Sequence, residues 1–480
     1  MLTSAALSGF RSALGESRVF DDDATLALYS ADETPKRVRP AAVLFPQHHN
    51  HVAALVRVAV EHRIPLVARG AGSGNVGGAL PVAGGVVVSY ECMQRVLEFD
   101  PDNRLIVVEA GVITATIDTL ARSVGLFYPP DPGSSAYCRI GGNLAMNAAG
   151  PRAVKYGVTR DYVLGLRAVT GNGAEIRTGC RTSKGVTGYD LTRLLIGSEG
   201  TLALITEATL KLLPAPEAVA TLRVCYSSNR AALDAVSRVM RQAVIPCALE
   251  FMDRHAINVI RPTGAAEGAL RSSGAPTGVP LAGAADDLPS GTGALLMVEA
   301  DGIRTDLPRQ ITALKSALAG SGLLELRESM NAADTARLWA ARKSLSHAVK
   351  RIAPLKLNED VVVPVSALPE FVEFIEGLGA QHQLAIVTFG HAGNGNLHIN
   401  LMVHPDDKNE MTRAEHCLTQ IMQKVIALGG TLSGEHGIGT EKRRFVPQEI
   451  GAPTLTLMRN IKQQFDPYAL LNPGKFFPDA

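Results

Sequence analysis

Residues 69–78 read R-G-A-G-S-G-N-V-G-G, and 78–85 continue as G-A-L-P-V-A-G-G. So few side chains suit a place where backbone N–H groups approach an anion closely, or where φ must turn positive. Gly72, Gly74 and Gly77 satisfy G-x-G-x-x-G. A Rossmann fingerprint, however, needs a helix opening inside the motif, and the segment that follows will not form one. Strand-like runs at 65–68 and 85–90 flank the glycines. The residues alone leave two readings: a pyrophosphate cradle that is not Rossmann, or a tight turn between strands.

The chain has 480 residues, room for roughly three domains at about 150 residues each. With 46% hydrophobic and 19% charged residues it is globular and not disordered. A formal net charge of +1 gives no electrostatic case for nucleic acid or anionic lipid. No apolar run approaches the roughly 20 residues of a membrane span. The apolar start at 1–10 lacks a preceding basic segment, so it reads as a first helix and not a signal peptide. The six cysteines, Cys92, Cys138, Cys180, Cys225, Cys247 and Cys417, form no C-x-x-C pair. Reduced thiols in the cytoplasm are expected, with the protein free or peripheral to the inner face of the membrane. No cysteine cluster can hold an iron–sulfur centre.

To about residue 214, strands and glycine turns alternate, with a strand at 41–45, helices at 50–62 and 114–124, and a strand at 105–109. From about 220 the texture is α+β: strands at 221–226, 248–252, 294–299 and 323–327, helices at 230–244 and 307–319. Residues 261–293, rich in Gly, Ala, Ser and Pro, read as a long surface loop. Helices are expected at 411–428 and 454–465, the latter stopped by Asp466-Pro467 before a turn at 472–475.

Two further segments read as loops of small residues with amide or hydroxyl side chains: P-P-D-P-G-S-S at 129–135 leading to I-G-G-N-L-A-M-N-A-A-G at 140–150, and G-S-E-G-T-L-A-L-I-T-E at 197–207. With the first loop they could wrap one long polar cofactor, and K-Y-G-V-T-R-D at 155–161 lies between them. In this order, from 43 to 214, they resemble the FAD-binding domain of the vanillyl-alcohol oxidase superfamily, the PCMH-type FAD domain. The resemblance returns at N-P-G-K, 472–475. It implies FAD held by Gly70, Ala71, Gly72, Ser73, Gly74, Asn75 and Gly77, then by Asp131, Pro132 and Ser135. Further contacts are implied at Gly141, Gly142, Asn143, Ala145, Asn147 and Gly150, at Tyr156, Gly157 and Val158, and at Gly200, Ile205 and Asn472. The first loop lacks the histidine of covalent members, which implies noncovalent FAD. Ala203 replaces a glycine common in relatives, a change of one methyl.

The densest chemistry is V-T-F-G-H-A-G-N-G-N-L-H-I-N at 387–400. Strand, glycine turn and strand bring His391 beside His398, and a period of two sets His398 and Asn400 on one face. Glu435 and His436 lie on a second glycine-flanked turn, G-G-T-L-S-G-E-H-G-I-G at 429–439. Two imidazoles and a carboxylate suit Zn²⁺ or a similar ion, with room left for substrate oxygens. A hydrogen-bonded pair of histidines in a hairpin is the alternative. Arg342 and Ser346, four apart on a helix, share a face; the guanidinium is either a carboxylate fork or a solvated surface group. His48, His49 and His51 read as a surface helix start, and Trp339 as a packing residue.

H-x-G-x-G-N-x-H-x-N followed by G-E-H-G-x-G resembles the D-lactate and D-2-hydroxyglutarate dehydrogenase group, and is similar to the flavin subunit of glycolate oxidase. The resemblance implies His391, His398 and Glu435 as ligands of a divalent metal, Zn or Mn. It implies His436 as the general base on the substrate hydroxyl, and Arg342, Ser346, Asn400, His391 and His398 as substrate-binding. Hydride would pass from C2 to flavin N5, and the 2-oxo acid would leave. D-Lactate is foremost because 358–364, N-E-D-V-V-V-P, most resembles D-lactate dehydrogenases; D-2-hydroxyglutarate is second. A glycolate-oxidase-type flavin subunit, inactive alone, is the third possibility. The implied electron acceptor is a cytochrome, a quinone or an electron-transfer flavoprotein, and the implied state a homodimer. The implied fold class is α+β. A two-subdomain FAD-binding domain (1–215) precedes an α+β cap with an antiparallel sheet (216–440), and a helical segment (441–480) returns to the first domain.

Overall fold

The computed structural model describes residues 2–260, 288–329 and 331–478, without the His347 side chain. Most of the loop expected at 261–293, residues 261–287, lies outside them. Two compact units emerge: 1–150 with 156–215 and 435–480, and 151–155 with 216–434.

The first unit holds strands β1 (Val19–Phe20), β2 (Ala42–Leu44), β3 (Leu66–Arg69), β4 (Val86–Ser89), β5 (Val96–Asp100), β6 (Leu105–Glu109), β7 (Leu126–Phe127), β8 (Val163–Thr170), β9 (Glu175–Gly179), β10 (Ala203–Lys211) and β11 (Leu213–Pro214). One sheet runs β1-β2-β4-β3, another β5-β6-β10-β8-β9. β4 pairs parallel with both β2 and β3. Parallel neighbours need a crossover. The chain leaves β2 through the helix His49–His62 and enters β3 on the far side of β4. Between β3 and β4 the crossover is the glycine-rich segment itself, so this segment cannot be a hairpin turn. The helices Ser4–Leu14 and His49–His62 bury Phe10, Val52, Leu55 and Val56 against Leu44, Leu66, Val86 and Val88. The second sheet has its own core, built on Ile106, Val108, Ile140, Leu144, Ala168 and Leu210.

The second unit is one seven-stranded sheet, antiparallel throughout. Its strands are β12 (Ala218–Tyr226), β13 (Ala248–Asp253), β14 (Ala294–Gly302), β15 (Leu323–Glu328), β16 (Leu355–Val362), β17 (Ala385–His391) and β18 (Asn396–Val403), in the order β15-β12-β14-β13-β17-β18-β16. Cys225, Met252, Leu295, Met297 and Phe389 on one face pack with Ala256, Ile257, Ala341 and Leu345 of the helices Arg254–Ile260 and Ala332–Ala348. The alternating residues Val224, Phe251, Leu296 and Val298 point the other way and are equally buried. This is the α+β architecture with a large antiparallel sheet that the sequence implies. Among the described residues no helix is long and apolar enough to cross a membrane, and all six cysteines are free thiols.

Two local expectations are corrected. Residues 140–146 are not loop but a short helix ending at Asn147, whose φ is 51°. Gly141 permits this: a Cβ there would meet the Cβ and carbonyl of Ala110 at 2.9 Å. His49 does start a helix but is not at the surface. It is buried, with Nδ1 2.8 Å from Thr206 Oγ1 and Nε2 2.8 Å from Glu175.

Candidate active site

The flavin cradle expected from the sequence lies within the first unit. Beyond β3 the chain turns through Gly72 (φ 71°) and Gly77 (φ 75°). None of the backbone N–H groups of 71–78 donates to another described residue. A Cβ at Gly74 would enter open space, as would one at Gly142. At Gly72 a Cβ would instead strike the guanidinium of Arg69, which packs beneath the turn. A run of unspent donors beside open space, with a buried cation behind it, fits a bound pyrophosphate. The remaining expected contacts divide by role. Asn143 Nδ2 donates to Thr114 Oγ1 at 2.8 Å, and Asn147 Oδ1 accepts from Arg160 N at 2.9 Å. These two amides brace the cradle from within. Gly150 (φ 131°) lies against the Asp131 carbonyl. The Tyr156 carbonyl accepts from Tyr162 Oη at 2.6 Å, and Val158 N donates to Asp161 Oδ2 at 2.9 Å. Gly200 (φ 68°) precedes β10, where Ile205 is buried. Asn472, in the closing turn, donates to the Glu199 carbonyl at 2.7 Å and the Gly78 carbonyl at 3.0 Å.

In the second unit the hairpin β17–β18 carries both histidines. Gly395 (φ 75°) makes its turn, and a Cβ there would strike the Val363 carbonyl. His391 and His398 stand edge to face, ring centroids 5.3 Å apart. β13 pairs Glu250 opposite His391, and the fully buried carboxylate bridges His391 Nδ1 at 2.6 Å and an Arg342 guanidinium nitrogen at 2.7 Å. Burial alone would raise the Glu250 pKa. The positive charges of His391 and Arg342 and their hydrogen bonds outweigh it and hold the carboxyl below its ordinary value. Arg342 is therefore not a solvated helix residue: it is buried, over the Phe389 ring at 4.8 Å. Ser346, one turn on, accepts from Lys356 Nζ at 3.0 Å.

On the other side of the hairpin β16 sets Asp360 opposite His398, with Oδ1 3.8 Å from Nδ1. Asp360 is fully buried and accepts from Asn396 Nδ2 (2.6 Å), Ser433 Oγ (3.0 Å) and Gly434 N (2.9 Å). It thus anchors the turn that runs directly into Glu435 and His436. Asp360, His398, Glu435 and His436 each offer a ligand atom, all within 4.8 Å of one another. This group could hold a metal ion. It joins three residues singled out in the sequence to one that was not, Asp360, while His391 stands beside His398. Asn400 is fully buried, its Nδ2 donating to the Val387 carbonyl at 3.0 Å. Its Oδ1 has no hydrogen-bond partner among the described residues. Trp339 packs as expected and also donates Nε1 to Glu299 at 3.0 Å.

Glu250 and Asp360 are the residues that sequence reasoning missed. Each sits in an ordinary strand, and only the strand order brings it to a histidine. A carboxylate interrupting the apolar run of β13 was the one available signal.

Residues 215–476 match the family described as FAD linked oxidases, C-terminal domain, and residues 40–179 match an FAD binding domain. The chain is 38% identical over 460 residues to "Glycolate oxidase subunit GlcD" of Bacillus subtilis (strain 168), covering 95% of this chain and 94% of that one. It is 34% identical over 441 residues to "D-lactate dehydrogenase" of Anaerostipes hadrus, covering 92% and 90%. Among solved structures, p-cresol methylhydroxylase with substrate bound superposes with a TM-score of 0.78, covering 100% of this chain and 98% of that one. At 17% identity this is a likeness of fold.

Proposed function

Since the chain belongs to the FAD-linked oxidases, an FAD-binding domain followed by that family's C-terminal domain, we propose that it oxidises a D-2-hydroxy acid, D-lactate foremost, to the 2-oxo acid. The activity is FAD-dependent oxidation of the glycolate oxidase and D-lactate dehydrogenase group. The observation that supports the finer assignment is the gathering of His398, Glu435 and His436 around Asp360. A flavin site alone does not require such a cluster.

FAD, when bound noncovalently in the cradle, supplies the acceptor for a hydride from substrate C2. His391, His398 and Glu435 would hold a divalent ion, Zn²⁺ or Mn²⁺, whose chemistry there is to acidify an α-hydroxyl. Asp360 orients His398, or adds a fourth ligand, while its bonds to Ser433 and Gly434 fix the turn that presents His436. His436 takes the hydroxyl proton as general base. Asn400 Oδ1 accepts a hydrogen bond from the substrate or from a water beside it. Arg342, with one nitrogen committed to Glu250, offers the rest of its fork to a carboxylate, with Ser346 on the same helix face.

The test is anaerobic mixing of the flavoprotein with D-lactate, L-lactate, glycolate and D-2-hydroxyglutarate, reading flavin absorbance with and without chelator. Bleaching by D-lactate that chelation abolishes is the expected result. A flavin bleached by none of the acids, even with added Zn²⁺ or Mn²⁺, would sink the proposal. The identity to a glycolate oxidase subunit over 95% of the chain favours a second reading, a flavin subunit that needs partners. Under that reading the isolated chain fails to reduce an artificial dye with any of the acids. The acceptor we propose is a cytochrome, quinone or electron-transfer flavoprotein.

A further inference from the structure

Glu199 lies between the flavin-binding segments and the turn after His436, and neither role proposed above uses it. It is buried, and its φ of 55° is left-handed, an unusual state for a residue with a side chain. Its backbone N–H donates to the Ala145 carbonyl at 2.8 Å. Its own carbonyl accepts from Asn472 Nδ2. Its two carboxylate oxygens are spent separately on the next segment: Ile438 N donates to one at 2.7 Å, Gly439 N to the other at 2.8 Å. Gly437 (φ 89°) has no space for a Cβ, which would strike Met146 Cε and meet Glu199 Oε1 at 2.9 Å. Directly after Gly439, Thr440 N donates to the Val76 carbonyl at 2.8 Å. Segments that would hold FAD, including the first loop, the 140–146 helix and the 472–475 turn, thus converge on the backbone just after His436. All of these contacts lie within the first unit.

Burying a carboxylate costs free energy, and burial pushes the Glu199 pKa up against the two N–H donors that lower it. A structural cap on a turn could use a neutral oxygen. Two separately aimed carboxylate oxygens fix the orientation of two successive peptide planes, and with them the direction of the preceding side chain.

We infer that Glu199 is a positioning residue: it locks the backbone at 438–439, so that His436 is correctly presented only when the flavin-binding segments are in place. The kinetic half of this inference rests on the role proposed for His436; the backbone half does not.

The test is hydrogen exchange in the peptide 435–441, followed in the FAD-loaded protein, in the same protein stripped and reloaded, and in Glu199→Gln. Glutamine keeps the volume but aims an amide N–H at one of the two donors. Exchange at 438–439 should quicken about tenfold to a hundredfold in the stripped protein and in the variant, and reloading should restore it in the wild type. For the hydroxy acid, kcat should fall about tenfold in Glu199→Gln while KM moves less than about twofold. Equal exchange in loaded wild type and loaded variant would overturn the inference, and so would an unchanged kcat alongside a loosened peptide. Should the variant not accumulate, the wild type decides alone: exchange at 438–439 indifferent to FAD overturns it. Exchange is read without substrate, so a failure of the hydroxy-acid assignment leaves this result standing.

Discussion

His436 and Glu250 carry the sharpest residue-scale consequences. With His436→Ala the proposed base is lost, and turnover should drop about a hundredfold or more while the yellow flavin stays bound; normal turnover would remove it from the chemistry. Glu250 touches no substrate in the proposed scheme, yet it holds the His391 ring at Nδ1 and matches the Arg342 charge. Glu250→Gln should therefore weaken divalent-metal retention about tenfold to a hundredfold, read as ion content after dialysis against a buffered chelator. Undiminished retention would make Glu250 a packing residue only. The histidines were legible in the sequence because a glycine turn between two short strands announces a hairpin. Their carboxylate partners were not. Glu250 reaches His391, and Asp360 reaches His398, through pairings of β13 with β17 and β16 with β18. Strand order is decided by packing over the whole sheet and leaves no local mark.

At the scale of elements, the turn of the β17–β18 hairpin is the most exacting piece. Gly395 combines a positive φ with a Val363 carbonyl where a Cβ would go. Gly395→Ala should cost about 2 kcal/mol or more, seen as a lower urea midpoint, with metal retention falling alongside. An unchanged midpoint would show that the turn has slack. Most helices and strands of both units were legible from their periodicity. The 140–146 helix was not, because Gly141 and Gly142 have poor helix propensity; Gly141 is there for close approach to Ala110. The burial of His49 was hidden for a related reason: its partners Thr206 and Glu175 lie on strands far along the chain.

For the whole molecule, the telling fact is that the first unit is assembled from three separate stretches of chain, the last being 435–480. Leu471 makes a parallel bridge to Leu66 at the edge of β3, and Lys475 Nζ donates to the Leu80 carbonyl at 2.6 Å and Asn472 Oδ1 at 2.9 Å. Burial pulls the Lys475 ammonium down to about 8, well below the 10.5 of an unburied lysine, although Glu199 and Asp32 partly hold it up. Between these two values the unfolded chain binds one proton more than the folded one, so stability attributable to Lys475 rises with pH there. Relative to Lys475→Met, the wild type should gain roughly 1 kcal/mol per pH unit as pH rises from 8 toward 10.5, measured by urea unfolding. Parallel pH profiles would show the ammonium to be ordinary. The fold class and the return of the C-terminal segment were legible from motif order; the discontinuity of the first unit follows from that return. It also has a consequence in time. Synthesis runs from the N-terminus, so a ribosome that has finished the glycine loop must still make nearly four hundred residues before Asn472 can bridge Gly78 and Glu199. Nascent chains therefore carry the glycine loop unbridged through most of synthesis, and the two bonds of Asn472 are among the last to form in the first unit.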